Sequence, residues 1–380
     1  PADLDETPLK GERPRDLARR LAREKAQAAR EGAKARADLE GRTSAVARSA
    51  GPASAAAGRR GSRDRTQGHA GPWPAGGPIH PVVAQFKAAC TNTGFFYVKN
   101  HGVPQEVIDA AFDATRRYMS LPMDERLRDK IDERFRRGFM PMGVTQHPGH
   151  KPDLKESYEL GVDLPLHDPD VAGGRPLHGP NRWPQDKPWL EQAAMDYFNA
   201  TIALGRNLLR IFAAAVGKEE GFFLQFATKP MVQARLFHYP PQESFTNLEL
   251  GAAAHTDYGM LTLLAQDPIG GLELCTRSGE WVAAPYIEGT LVINLGDLVK
   301  VWTNDVYVSN PHRVANRTGR ERYSIPTFFN LDYDTPVACL PEFAPASGEP
   351  RHAPIKSGEY LVKRFAAVQK YKTPAELAAA

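Results

Sequence analysis

Two periods divide the chain. Between residues 81 and 216 apolar positions recur every third or fourth residue, as in helices; from residue 231 onward they alternate, as in strands. Val82, Val83, Phe86 and Ala89 fall on one side of a helix predicted over 81–90. Residues 94–98 read as a strand, and Asn100, His101 and Gly102 as the turn that leaves it. Pro104 suits the first turn of a helix that Val107, Ile108, Ala111, Phe112, Thr115 and Met119 carry to Leu121, where Pro122 stops it. A short charged helix follows over 123–131. The stretch 135–186 is rich in Gly, Pro and His and reads as loop, apart from an alternating strand at 155–160 near a pocket mouth. The longest stripe, over 189–216, places Leu190, Ala194, Tyr197, Leu204, Leu208 and Phe212 on one helix face. Gly217 stands where a left-handed helix cap belongs.

Short strands are predicted at 231–239, 260–266, 272–275, 281–284, 290–295, 306–309 and 323–331, divided by Gly, Pro and Asn turns. Such spacing implies a sandwich or barrel, and with a metal inside it the jelly roll is the dominant solution. The expected fold class is mainly β with flanking helices: a jelly-roll core preceded by an N-terminal α/β segment. A helix over 360–371 closes one end. The expected divisions are a basic leader at 1–75, the α/β region at 76–225, and the jelly-roll core with its helix at 226–380.

Composition changes this picture mainly at the N-terminus. Residues 1–75 are rich in Ala, Arg and Gly, nearly free of aromatics, and read as disorder with one short helix over 17–25. Sixteen Lys/Arg and ten Asp/Glu fall in residues 1–70, so the remaining chain holds three more acids than bases although the whole is +3. A mildly acidic body argues against a nucleic-acid partner. No apolar run approaches the roughly 18 residues of a membrane span, and no apolar segment behind the N-terminus marks a secretory signal. Cys90, Cys275 and Cys339 are scattered and make no disulfide framework, so a reducing, cytoplasmic location is expected. The expected partner is a small-molecule substrate, and the chain a monomer or weak homo-oligomer.

The chemistry concentrates late in the chain. His255 and Asp257, two apart on an extended segment, point the same way. His312 follows 55 residues after Asp257 and supplies a third candidate ligand. Two imidazoles and a carboxylate on one triangular face leave three positions of an octahedral ion open, the donor set of non-haem Fe(II) oxygenases. Zinc accepts the same ligands. Arg322 and Ser324, sharing a face of the next strand, form a guanidinium–hydroxyl pair suited to a carboxylate, which a closed structural zinc site does not need. His147 and His150 lack an acidic or Cys partner and read as a solvated loop; His101, beside Gly102 in a tight turn, reads as structural.

His255-Thr256-Asp257, His312, Arg322-Tyr323-Ser324, and the N-terminal runs Gly94-Phe95-Phe96-Tyr97-Val98 and Asn100-His101-Gly102-Val103-Pro104 together resemble the isopenicillin N synthase-like branch of the Fe(II)/2-oxoglutarate-dependent dioxygenases. The resemblance runs from about residue 81 to about 335. It implies a double-stranded β-helix, iron held by His255, Asp257 and His312, and 2-oxoglutarate and O2 as cosubstrates. The distal carboxylate of 2-oxoglutarate would meet Arg322 and Ser324, and Tyr239, which precedes Pro240, would join them. Asp297 resembles a family turn residue that holds backbone. The segment 71–78 departs from the family's opening strand. Three functions remain open: a 2-oxoglutarate-dependent oxygenase, most often a hydroxylase; an iron oxidase that does without 2-oxoglutarate; and a non-catalytic jelly-roll binding protein. Arg136, Arg137, Phe139 and Tyr158 are candidates for the substrate lining, while Arg235 faces either the pocket or the protein.

Overall fold

The computed structural model describes residues 81–242 and 249–368. The basic leader, its 17–25 helix and the doubtful opening strand at 71–78 lie outside the described residues. The described part begins with α1 (Pro81–Asn92), β1 (Phe95–Lys99), α2 (Gln105–Met119) and α3 (Met123–Arg128). Two strands, β2 (Gly138–Met140) and β3 (Glu156–Gly161), are separated from the long helix α5 (Pro188–Ala215) by the single turn α4 (Pro169–Ala172). The β-rich half then runs β4 (Gln233–Tyr239), β5 (Ala252–His255), β6 (Leu261–Gln266), β7 (Leu272–Cys275), β8 (Trp281–Ala283) and β9 (Thr290–Leu295). After α6 (Asp297–Trp302) come β10 (His312–Val314), β11 (Arg322–Phe329), a small hairpin of β12 (Pro336–Val337) with β13 (Ile355–Lys356), and α7 (Ser357–Val368).

Among the described residues the strands form a large sheet in the order β1-β9-β6-β11-β4-β3-β2 and a small one in the order β5-β10-β7-β8, antiparallel throughout. This is the antiparallel jelly-roll core with flanking helices. Strand β11 shows how the sequence divides the two faces of the large sheet. Arg322, Ser324, Pro326 and Phe328 line a cleft between the sheets. Ile325 and Phe329 are fully buried in the core on the other face. There α5 packs: Tyr197 Oη donates to the Ile325 carbonyl at 2.7 Å, and Thr201 and Thr327 hydroxyls meet at 3.0 Å. Gly205 lets helix and sheet approach closely, since a Cβ there would strike the Phe329 ring. Each large apolar side chain buried in this layer contributes about 1.5–3 kcal/mol, so the scaffold's stability lies outside the cleft.

The predicted helices and most strands appear within a few residues of their expected limits, and Gly217 adopts φ +78° just past α5. The segment 306–309 is not a strand. It continues the turns that leave α6, where Asn304 and Asp305 take positive φ, Tyr307 N bonds the Thr303 hydroxyl and Val308 N bonds the Cys90 carbonyl. Of its apolar residues Tyr307 reaches the core from a turn: it is fully buried and donates to the Ala215 carbonyl, while Val306 is exposed. The strand lies instead at β10, which carries His312. The last predicted helix begins earlier than expected, at Ser357, and 369–371 fall outside the described residues.

Candidate active site

Strand pairing joins the two distant histidines. In the register of β5 with β10, His312 lies opposite His255, and their ring centroids are 4.3 Å apart. His255 Nδ1 is 2.7 Å from the Ala253 carbonyl and His312 Nδ1 is 3.2 Å from that of Asn310. A carbonyl only accepts, so each Nδ1 carries the proton and each Nε2 presents a lone pair. Burial, and after it the nearby His312, hold His255 well below the usual imidazole range and keep it neutral.

Asp257 completes the triangle. Its Oδ1 lies 3.7 Å from both Nε2 atoms. Its Oδ2 accepts 2.5 Å and 2.6 Å hydrogen bonds from Thr262 Oγ1 and Asn294 Nδ2, which are partners across β6 and β9. Backbone fixes the turn as well, since Asp297 N donates to the Asp257 carbonyl at 2.8 Å. The three ligand atoms lie within 4.8 Å of one another, and among the described residues this is the one cluster of His, Cys, Asp or Glu that could hold a metal. Two imidazoles and one carboxylate oxygen, each oriented by a hydrogen bond on its other polar atom, fit a six-coordinate divalent ion with an open face.

The same cleft, about 960 Å³ including its mouth, contains a buried cationic end. Arg322 is 1% exposed. Its Nε donates to the Gly270 carbonyl, its Nη1 donates to Ser324 Oγ at 3.2 Å, and its guanidinium lies 4.6 Å from the Tyr239 ring centroid. Because Ser324 accepts from Arg322, its own hydroxyl proton is left to face an anion. The pairing of β11 with β4 sets Arg322 opposite Tyr239. Lys155, one residue before β3, also lines the cleft, with its ammonium 5.2 Å from the Phe237 ring centroid. Burial alone would lower the Lys155 ammonium, but Asp153 at 2.8 Å outweighs it and raises the group above its ordinary value.

Several sequence expectations need correction. Arg136, Arg137, Phe139 and Tyr158 do not line the cleft. Arg137 Nη1 and Nη2 are spent on the carbonyls of Phe135, Arg136 and Leu177, while Phe139 and Tyr158 pack around Tyr118 in the core. Arg136 stacks 4.4 Å from Phe365 and reaches Glu159. Arg235, by contrast, does face the cleft. His147 is not solvated: it is buried and stacks on His255 at 5.2 Å. His101 accepts from Val103 N at 3.1 Å in its turn. Asp297 accepts from Ser309 Oγ and Tyr360 Oη, binding α6 to α7. Thr262 and Asn294 escaped the sequence reading. Their signal was present, as polar residues inside otherwise apolar strands.

Comparison with known proteins agrees with this geometry. Residues 229–331 match the 2OG-Fe(II) oxygenase superfamily, and residues 76–186 match the N-terminal region described as that of a non-haem dioxygenase in morphine synthesis. The chain is 36% identical over 282 residues to the 2-oxoglutarate-Fe(II) type oxidoreductase hxnY of Emericella nidulans, covering 72% of this chain and 81% of that one. It is 36% identical to the homoarginine-6-hydroxylase 2-ODD-C23 of Glycine max, covering 68% and 80%. The full-length Neurospora crassa T7H, solved in complex with alpha-KG and thymine, superposes with a TM-score of 0.66 at 29% identity, covering 76% of this chain and 92% of that one.

The chain belongs to the 2OG-Fe(II) oxygenase superfamily. It is a non-haem oxygenase that uses Fe(II), 2-oxoglutarate and O2, which decides among the three functions left open by the sequence.

Proposed function

We propose that this oxygenase hydroxylates a small organic molecule, with iron held by His255, Asp257 and His312 and the distal carboxylate of 2-oxoglutarate held by Arg322, Ser324 and Tyr239. The observation that carries this reading is the convergence, in one cleft, of three oriented ligand atoms within 4.8 Å and a buried guanidinium. When bound, iron with 2-oxoglutarate and O2 supplies the oxidation of R–H to R–OH, while the cosubstrate leaves as succinate and CO2.

The chain's own residues bind, orient and exclude water. The Nδ1–carbonyl bonds fix both imidazole planes, and Thr262 with Asn294 fixes the carboxylate, so the ligand triangle needs no rearrangement to accept an ion. A carboxylate meeting Arg322 makes a charge-assisted pair in a dry setting, worth roughly twice a neutral hydrogen bond. Leu264, Leu272 and Val314 give the cleft apolar walls, and α7 adds Leu361, Phe365 and Val368. These walls keep bulk water from the reacting centre.

The soybean relative is named for hydroxylating homoarginine, and the Neurospora structure holds thymine; the first supports hydroxylation and both support a small substrate. Within the superfamily we place the chain in the isopenicillin N synthase-like branch, on the motifs at 94–98 and 100–104. Three free cysteines suit the cytoplasm. Among the described residues no helix is long and apolar enough to cross a membrane.

The test is anaerobic titration with Fe(II), with and without 2-oxoglutarate. A weak visible charge-transfer band should appear only when both are present. With O2 and substrate, succinate should form in step with oxygen uptake. A protein that binds Fe(II) but shows neither the band nor succinate would sink this reading.

A further inference from the structure

The cleft has a second cationic pole. Arg322 and Tyr239, opposite each other on β11 and β4, mark one end of its large-sheet wall. Four residues back along β4 from Tyr239, about 13 Å at strand rise, Arg235 enters the same cleft opposite Glu159 of β3. Four C–C bonds of about 1.5 Å join the two carboxyl carbons of 2-oxoglutarate, so they stand at most about 5 Å apart. A molecule with one end on Arg322 and the other at the ligand triangle leaves the Arg235 end to something else.

Arg235 is held ready for an anion. Its Nε lies 3.2 Å from Glu159 Oε1, an ion pair without hydrogen-bond geometry. Glu159 is shared, since its Oε2 is 3.7 Å from Arg136 Nη2, so Arg235 has no carboxylate to itself. Among the described residues no hydrogen bond involves the guanidinium of Arg235, its buried Nε included, although its side chain is only 12% exposed. Two rings flank the guanidinium, Phe328 of β11 at 5.0 Å and Phe365 of α7 at 5.6 Å, and both line the cleft. A largely buried guanidinium without a hydrogen bond, between aromatic walls, is built for a carboxylate on an apolar body.

We infer that the substrate is a second organic acid, whose carboxylate is taken by Arg235 and whose apolar ring or chain lies against Phe328 and Phe365. This rests on the proposed assignment of Arg322 and the ligand triangle to cosubstrate and iron. Glu159, at ion-pair distance from both Arg235 and Arg136, is the charge the incoming acid competes with.

The experiment is anaerobic calorimetry on the protein loaded with Fe(II) and 2-oxoglutarate. The probes are benzoate, phenylacetate and 3-phenylpropanoate, each beside its uncharged carboxamide. At least one acid should bind, and its amide at least tenfold more weakly. Arg235→Gln should weaken that acid at least tenfold and leave 2-oxoglutarate affinity within about twofold, with Arg235→Lys intermediate. Glu159→Gln, which removes the competing charge, should tighten acid binding, an outcome opposite to that of simple structural damage. Binding of no acid, equal binding of acids and amides, or an Arg235→Gln variant with unchanged acid affinity overturns the inference. Loss of the 2-oxoglutarate signal in the wild-type protein would instead strike the proposed function beneath it.

Discussion

Asn294 Nδ2 and Asp257 Oδ2 stand 2.6 Å apart although 37 residues separate them in the chain. The contact depends on the large sheet: Asn294 sits on β9, across from Thr262 on β6, and both donate to the one carboxylate oxygen that turns away from the histidines. Asn294→Ala or Thr262→Val leaves all three ligand residues in place but frees Asp257 to rotate. Each should weaken Fe(II) binding by roughly 10–100-fold. Competition with a chelator measures this directly, and unchanged affinity in both variants would show that the carboxylate needs no such support.

His255→Ala or Asp257→Ala should abolish tight Fe(II) binding and succinate formation. The fold should persist, because the apolar layer between α5 and the large sheet lies on the other face. Thermal melting of the metal-free variants should stay within a few degrees of the metal-free parent. Near-native turnover in either variant contradicts the ligand assignment.

Arg322→Leu would remove the proposed charge-assisted pair with the 2-oxoglutarate carboxylate, worth about 1.5–3 kcal/mol. The apparent affinity for 2-oxoglutarate should fall roughly ten- to hundred-fold, while Fe(II) affinity without cosubstrate hardly changes. Arg322→Lys should recover only part of the loss, since an ammonium cannot present the planar fork. Titration of the visible band separates these effects; equal losses for iron and 2-oxoglutarate would mean that Arg322 serves the fold instead.

A buried ion cluster behind the cleft predicts a pH dependence of stability. Glu156 lies 2.6 Å from Arg126 and 2.8 Å from His238 Nδ1. Burial alone would lift its carboxyl, but hydrogen bonds from His238 and Arg126, with the charge of Arg126, outweigh it and hold it below the ordinary 4.5. A carboxyl lowered on folding stabilises fully above its unfolded value, and that contribution is lost as pH falls through the folded value. Glu156→Gln should therefore destabilise at pH 7 by roughly 3–5 kcal/mol, the cost of breaking a buried pair. The gap in Tm should narrow as pH drops below about 4.5. A gap independent of pH would mean that packing, not charge, explains the loss.

The sequence was most readable where one period ran unbroken. The stripe of α5 and the alternation of β11 state their own burial, and β11 also shows Arg322 and Ser324 on one face. Segment 306–309 misled because its apolar residues were spent in a turn fastened by a threonine hydroxyl and the Cys90 carbonyl, contacts no local pattern records. Arg136 and Arg137 look alike in sequence, yet Arg137 is consumed by backbone carbonyls and neither lines the cleft, whereas Arg235, on another strand, does. The polar breaks at Thr262 and Asn294 were visible, but their meaning required the register that sets them side by side.

The helix α7 has a consequence for how this scaffold can diversify. It lays Leu361, Phe365 and Val368 against the cleft, is fastened by Tyr360 to Asp297, and receives Gln146 N on the Val368 carbonyl. The ligand triangle and the Arg322 end come from strands that precede it. One wall of the cleft is thus written in a stretch of chain separate from the three candidate iron ligands. Drift in α7 can reshape that wall without touching the candidate iron ligands, and a library confined to residues 361–368 is an economical place to seek new substrates.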